Sequence, residues 1–213
     1  MNNTFPLPLL STAYLPPVAY FRFLCSSGYA LLENRENYQK QSYRNRCCIY
    51  SSSGVLPLIV PVVRQSGNKT ISQVKIDNSK PWKSIHIKAI ISAYRSSPYF
   101  EHYFDQLREL LSADHQYLFS MNLSLIRLLI SLLEFDCSVI LTESYSREFE
   151  GIDLREAIHP KRGCYRVEQF ETGVKKDGQY HQVFAHKSGF INNLSVLDLL
   201  FNEGPQSVLW LKI

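Results

Sequence analysis

The chain has 213 residues, of which 45% are apolar and 20% charged, so it can bury a core and lacks the composition of a disordered protein. Five cysteines and nine glycines exclude disulfide-scaffold and collagen-like classes, and a formal charge of +4 is too small for the dense basic stripe of a nucleic-acid binder. The first Lys or Arg is Arg22, so no charged region precedes an apolar leader, and a cytoplasmic protein with reduced thiols is expected.

In chain order, Leu7 to Leu15 reads as an interior strand stopped by Pro16-Pro17. A helix from Val18 to Leu24 and a strand from Tyr29 to Glu33 follow, the order of a βαβ start with a parallel pair. Cys47 to Tyr50 and Val55 to Val63 form a hairpin around Ser51-Ser52-Ser53-Gly54, with Pro57 and Pro61 placing the second run at an edge or at a bulge. Ile71 to Ile76 is expected as a strand. Trp82, Ile85, His86, Ala89, Ile90, Ala93 and Tyr94 lie on one face of a helix. Ser97-Pro98 then marks a helix start, and Phe100, Tyr103, Phe104, Leu107 and Leu111 its inner face. Met121 to Phe135 is apolar on most sides and is expected as a buried helix; Arg127 and Glu134 exclude a membrane span.

Cys137 to Thr142 reads as a strand, Ile152 to Ile158 as a short helix, and residues 159–181 as polar and turn-rich. Ser195 is an N-cap with Asp198 at N3, Val196 to Glu203 the helix, Gly204 and Pro205 its end, and Val208 to Ile213 a final strand. Strands at both ends around a helical centre predict one α/β domain over residues 1–213, a mixed sheet with flanking helices.

Three segments carry candidate chemistry. Tyr14-Leu15-Pro16-Pro17 lies at the carboxyl end of the first strand, where open parallel sheets bind ligands; a turn with aromatics in the core explains it as well. Lys40, Arg44, Asn45 and Arg46, with Tyr38 just before and Tyr43 among them, combine guanidinium forks with an amide, the groups that grip phosphate or carboxylate while reading hydroxyls; a solvated surface loop has the same composition. Trp82 and His86 share a helix face, where an imidazole acts as a general base or sits as a satisfied core histidine. No histidine pair has the spacing of a helical zinc site, so no metal is expected, and no particular cofactor is indicated.

Together the three segments resemble the WbqC-like protein family: Tyr14-Leu15-Pro16-Pro17 with Tyr20-Phe21, Lys40-Gln41-Ser42-Tyr43 with Asn45-Arg46, and Trp82 with His86 and Tyr94 to Tyr99. The C-terminal stretch from Gln182 through Asn193-Leu194-Ser195 to Gly204-Pro205 is similar to the version in Bacteroides-type bacteria. Thr12-Ala13 stands where many members carry Gln-Pro, and Pro17 where a Trp is common. The resemblance implies a bacterial protein of surface polysaccharide (O-antigen) biosynthesis. The expected function is a transferase of acyl, aminoacyl or glycosyl groups on a sugar or sugar nucleotide. His86 would be its general base, and Tyr14, Lys40, Arg44, Asn45, Arg46 and Trp82 would bind a small anionic or sugar ligand. A non-catalytic glycan- or protein-binding scaffold is the alternative. No nucleic-acid partner and no membrane span are expected, and the sequence does not indicate an oligomeric state.

Overall fold

A computed structural model describes residues 6–64, 67, 69–160 and 179–212. The turn-rich stretch expected over 159–181 and Cys164 lie largely or wholly outside those residues. The first strand, β1, is Pro8–Ser11, shorter than the apolar run that predicts it. Helix α1, Val18–Ser27, buries Val18, Ala19, Tyr20, Phe21, Phe23 and Leu24, so it is covered on nearly every side. It ends at Gly28, whose left-handed backbone (φ 69°) returns its N–H to the Leu24 carbonyl and launches β2, Tyr29–Glu33. Strands β1 and β2 are parallel, with Leu9 opposite Leu31, which establishes the βαβ start.

The chain then leaves the sheet. Strands β3, Arg46–Ser51, and β4, Gly54–Ile59, form an antiparallel hairpin with Ser51 opposite Gly54. Pro57 lies in β4, which among the described residues has no further strand on its outer side, so its missing N–H costs no ladder bond there. Ile71 to Ile76 is not a strand: Ile71–Gln73 is a turn of 3-10 helix, and the segment pairs only through single bridges such as Val62 with Ile76.

Three helices follow: α2, Trp82–Tyr94; α3, Phe100–Ser112; and α4, Leu118–Leu132. The inner face of α2 is narrower than the periodicity predicts, because Ile85 is exposed while Trp82, His86, Ile90, Ala93 and Tyr94 are buried. Helix α3 starts at Phe100 rather than at Pro98, because the Tyr99 backbone (φ −109°, ψ 9°) departs from helical geometry; its N–H donates to the Phe201 carbonyl. Helix α4 is buried over most of its length, from Leu118 and Met121 to Ile130. It stops before Phe135, where Glu134 turns the backbone left-handed (φ 56°).

Strand β5, Ser138–Leu141, returns to the sheet beside β2. Ile152 to Ile158 is not a helix; Ile152–Asp153 is strand β6, paired with Pro8 and Leu9 on the free side of β1. The sheet is therefore wholly parallel in the order β5-β2-β1-β6, and with the separate antiparallel hairpin and flanking helices it makes an α/β fold. The chain departs from β1 in one direction to β2 and β5, and reaches β6 in the other.

After the single turn α5, Ala185–Ser188, helix α6 spans Val196–Glu203 with Ser195 as its N-cap. Asp198 does not close a capping box; its carboxylate takes the Tyr180 hydroxyl and the Gln182 amide instead, each at 2.7 Å. Gly204 is left-handed (φ 54°), and a Cβ there would meet the Tyr99 ring at about 2.5 Å. The strand expected over Val208 to Ile213 is not found among its described residues, 208–212. Ser207–Leu211 forms helix α7, which packs on α1 and buries Ser207 and Leu211. Among the described residues no helix is long and apolar enough to cross a membrane.

Candidate functional site

The residues expected to form a site fall into three groups. Tyr14, Trp82 and His86 make a closed aromatic cluster. The Tyr14 hydroxyl lies 2.9 Å from His86 Nδ1, and the His86 ring centroid is 5.3 Å from that of Trp82. The Trp82 indole N–H donates to Asn78 Oδ1 at 3.2 Å. His86 is 3% exposed, and its burial lowers the imidazole pKa to about 4, so the ring is neutral near pH 7. Burial pushes the Tyr14 phenol well up, so Tyr14 keeps its proton and donates it to Nδ1. The other ring nitrogen donates to the Ile59 carbonyl at the end of β4. Both nitrogens of His86 are thus engaged.

The second group is an ion-pair network at the carboxyl edge of the sheet. Arg44, 2% exposed, grips Glu36 with Nε on Oε1 at 2.8 Å and a terminal nitrogen on Oε2, and reaches Ser11 Oγ at 2.7 Å. A parallel pair joins Arg155 to Glu33 (3.3 Å) and to Asp153 (2.7 Å). Burial raises the Glu36 carboxyl, with Arg44 pulling the other way. Arg44, expected to hold a ligand, is therefore occupied by a carboxylate of its own chain. Its partner lies eight residues away, a separation that no local pattern marks. Glu33, Glu36 and Arg155 were not singled out by the sequence.

The third group surrounds a cavity of about 330 Å³ lined by Tyr38, Lys40, Val62, Arg64, Lys69 and Val74, among others. Two loops build it. Residues 34–45 supply Tyr38 and Lys40, and the chain leaving β4 supplies Val62, Arg64 and Lys69. Backbone bonds clamp the loops together: Tyr38 N–H to the Lys69 carbonyl at 3.0 Å and Ile71 N–H to the Glu36 carbonyl at 2.8 Å. Arg46 is half-buried, pairs in register with Ile59, and acts electrostatically on Tyr38 and Cys48. Its Nε is buried without a hydrogen-bond partner. Among the described residues none of Lys40, Arg46, Arg64 and Lys69 has a carboxylate partner.

Asn45 links these groups. Its side-chain amide donates to the Val60 carbonyl at 2.9 Å, one residue beyond the carbonyl that receives His86. Tyr14, His86 and Asn45 therefore fix the end of β4, from which Val62 and Arg64 continue into the cavity wall. The free thiols Cys25, Cys47, Cys48 and Cys137 all have raised pKa values through burial, the opposite of an activated nucleophile. Among the described residues no cluster of three His, Cys, Asp or Glu side chains is placed to hold a metal ion.

The sequence profile of the WbqC-like protein family matches residues 12–162, well over half of the chain. The chain belongs to the WbqC-like protein family. The matched segment of this WbqC-like protein contains the aromatic cluster, the ion-pair network and the cavity; α6 and α7 lie beyond it. No curated protein and no solved structure matches the chain.

Proposed function

We propose that this WbqC-like protein acts in surface-polysaccharide biosynthesis as a transferase on a sugar that carries an anionic group, and that the anion seats in the basic cavity. The observation that carries this reading is the set of cations at one hollow, Lys40, Arg64 and Lys69 with Arg46 nearby, none neutralised by a described carboxylate. A guanidinium such as Arg46 keeps its charge at any physiological pH, so a half-buried and unpaired one is stabilised by an anion from outside the chain. The cavity volume is at the lower end of the range of small-molecule sites, enough for the charged group and a neighbouring part of the ligand that carries it.

In this reading Tyr14, His86 and Asn45 are positioning residues. They hold the Ile59 and Val60 carbonyls and so set the course of the strand that becomes the cavity wall. Trp82 packs against His86 and keeps its ring oriented. The burial of His86 also favours a second reading, in which the cavity binds an anionic glycan precursor without transforming it, because a ring with both nitrogens engaged takes no proton from a substrate.

Thermal-shift measurements with glucose 1-phosphate, glucuronic acid, sialic acid and their neutral parent sugars test the binding step. The expected result is stabilisation by the anionic sugars alone, lost in Lys40→Glu and Lys69→Glu. Absence of any shift with every anionic sugar and sugar nucleotide would refute the proposal. Mass analysis of bound sugars after incubation with acyl and glycosyl donors separates transferase from binding protein.

A further inference from the structure

Resting on the cavity reading above, we infer that the anion it takes is the diphosphate of a nucleotide, with the nucleoside lying along the apolar wall, so that the sugar arrives as a nucleotide sugar. The lining divides by chemistry. Lys40, Arg64 and Lys69 supply charge, whereas Val62, Val63, Val74 and the Tyr38 ring supply apolar surface. Three lining cations, with Arg46 within electrostatic reach of Tyr38, exceed what one carboxylate balances and match a group with two or more negative charges.

A flat heterocycle needs an aromatic face and aliphatic contacts, which Tyr38 and the valines provide. Lysines and an arginine on loops then grip the phosphates as point charges and as a fork. The sugar itself extends out of the cavity.

The test is calorimetric titration of the full chain with UDP, GDP, CDP, uridine, inorganic pyrophosphate, glucose 1-phosphate and glucuronic acid at two salt concentrations. At least one nucleoside diphosphate should bind about tenfold or more tightly than pyrophosphate, and more tightly than uridine, with affinity falling as salt rises. Lys40→Glu and Lys69→Glu, both exposed positions, should abolish that binding while leaving the melting temperature unchanged. Equal binding of pyrophosphate and all diphosphates would overturn the inference, leaving a simple polyanion site. Nucleotide binding untouched by both substitutions would place the nucleotide elsewhere and overturn it as well. If glucose 1-phosphate or glucuronic acid binds and no nucleotide does, the nucleotide assignment falls while the anionic-sugar function stands; if nothing binds, both fall.

Discussion

Two buried titratable groups set opposite pH dependences in this fold, and substituting one exposes the other. Asp198 is 1% exposed among Tyr94, Tyr180 and Gln182, and burial raises its pKa from 3.8 to about 6. The folded state then binds the Asp198 proton more tightly than the unfolded chain does. Stability from this group therefore declines as pH rises from about 4 to about 6 and is flat above. His86 behaves inversely: its pKa falls from 6.5 to about 4, so the unfolded chain takes the proton first and stability declines as pH drops from 6.5 to about 4. Each shift is a little over two units, and at about 1.4 kcal/mol per unit each is worth about 3 kcal/mol, so the two nearly cancel. Asp198→Asn retains an oxygen to accept from Tyr180 and Gln182 but removes the charge. Relative to the unsubstituted protein, the variant should gain about 3 kcal/mol between about pH 4 and pH 7, and its own stability should become acid-sensitive. Urea unfolding across this range measures the difference, in which all unaltered groups cancel. A difference that stays constant with pH would refute the assignment of a raised carboxyl to this position.

Tyr14→Phe should cost about 1–3 kcal/mol in urea unfolding, because it leaves His86 Nδ1 buried without a donor. The same variant should weaken anion binding in the cavity by loosening the end of β4, and unchanged binding would show that the cluster does not position that wall. Glu36→Gln should destabilise by about 3–5 kcal/mol, since it strands the Arg44 guanidinium in a buried position; a loss below about 1 kcal/mol would mean that Arg44 finds sufficient compensation from Ser11 and Glu156.

The βαβ start was legible because each of its signals is local: an apolar run, two prolines, an apolar helix and a glycine before the next run. The hairpin was legible for the same reason. Val208 to Ile213 was misread because a short apolar run has no decisive period, and contact with α1 selects a helix. Ile152–Asp153 becomes a strand only because β1 offers a free edge, a fact about residues more than 140 positions away. At the site, the pairing of Tyr14 with His86 follows residue types that the sequence had marked. The division of labour among Arg44, Asn45 and Arg46 did not show, since three consecutive side chains go to a carboxylate, a carbonyl and an unpaired position. Arg64 and Lys69 carry no motif and join Lys40 only through the clamp between two loops.

The start of α1 has no cap of its own. Pro17 offers no side-chain acceptor, and the first free amides are met from the other end of the chain, Val18 by the Leu194 carbonyl and Ala19 by the Asn193 side chain. Asn193 holds a left-handed backbone (φ 55°) in that position, and Pro16 returns its carbonyl to Val196. During synthesis the amide of Ala19 waits for a residue 174 positions downstream, which at about 5–20 residues per second is roughly ten to thirty-five seconds. Until then α1, which buries Phe21, Phe23 and Leu24 in the finished protein, lacks the part of its cover that α6 and α7 supply. Docking of α6 and α7 is therefore the step that both completes the cover of α1 and satisfies its first amides.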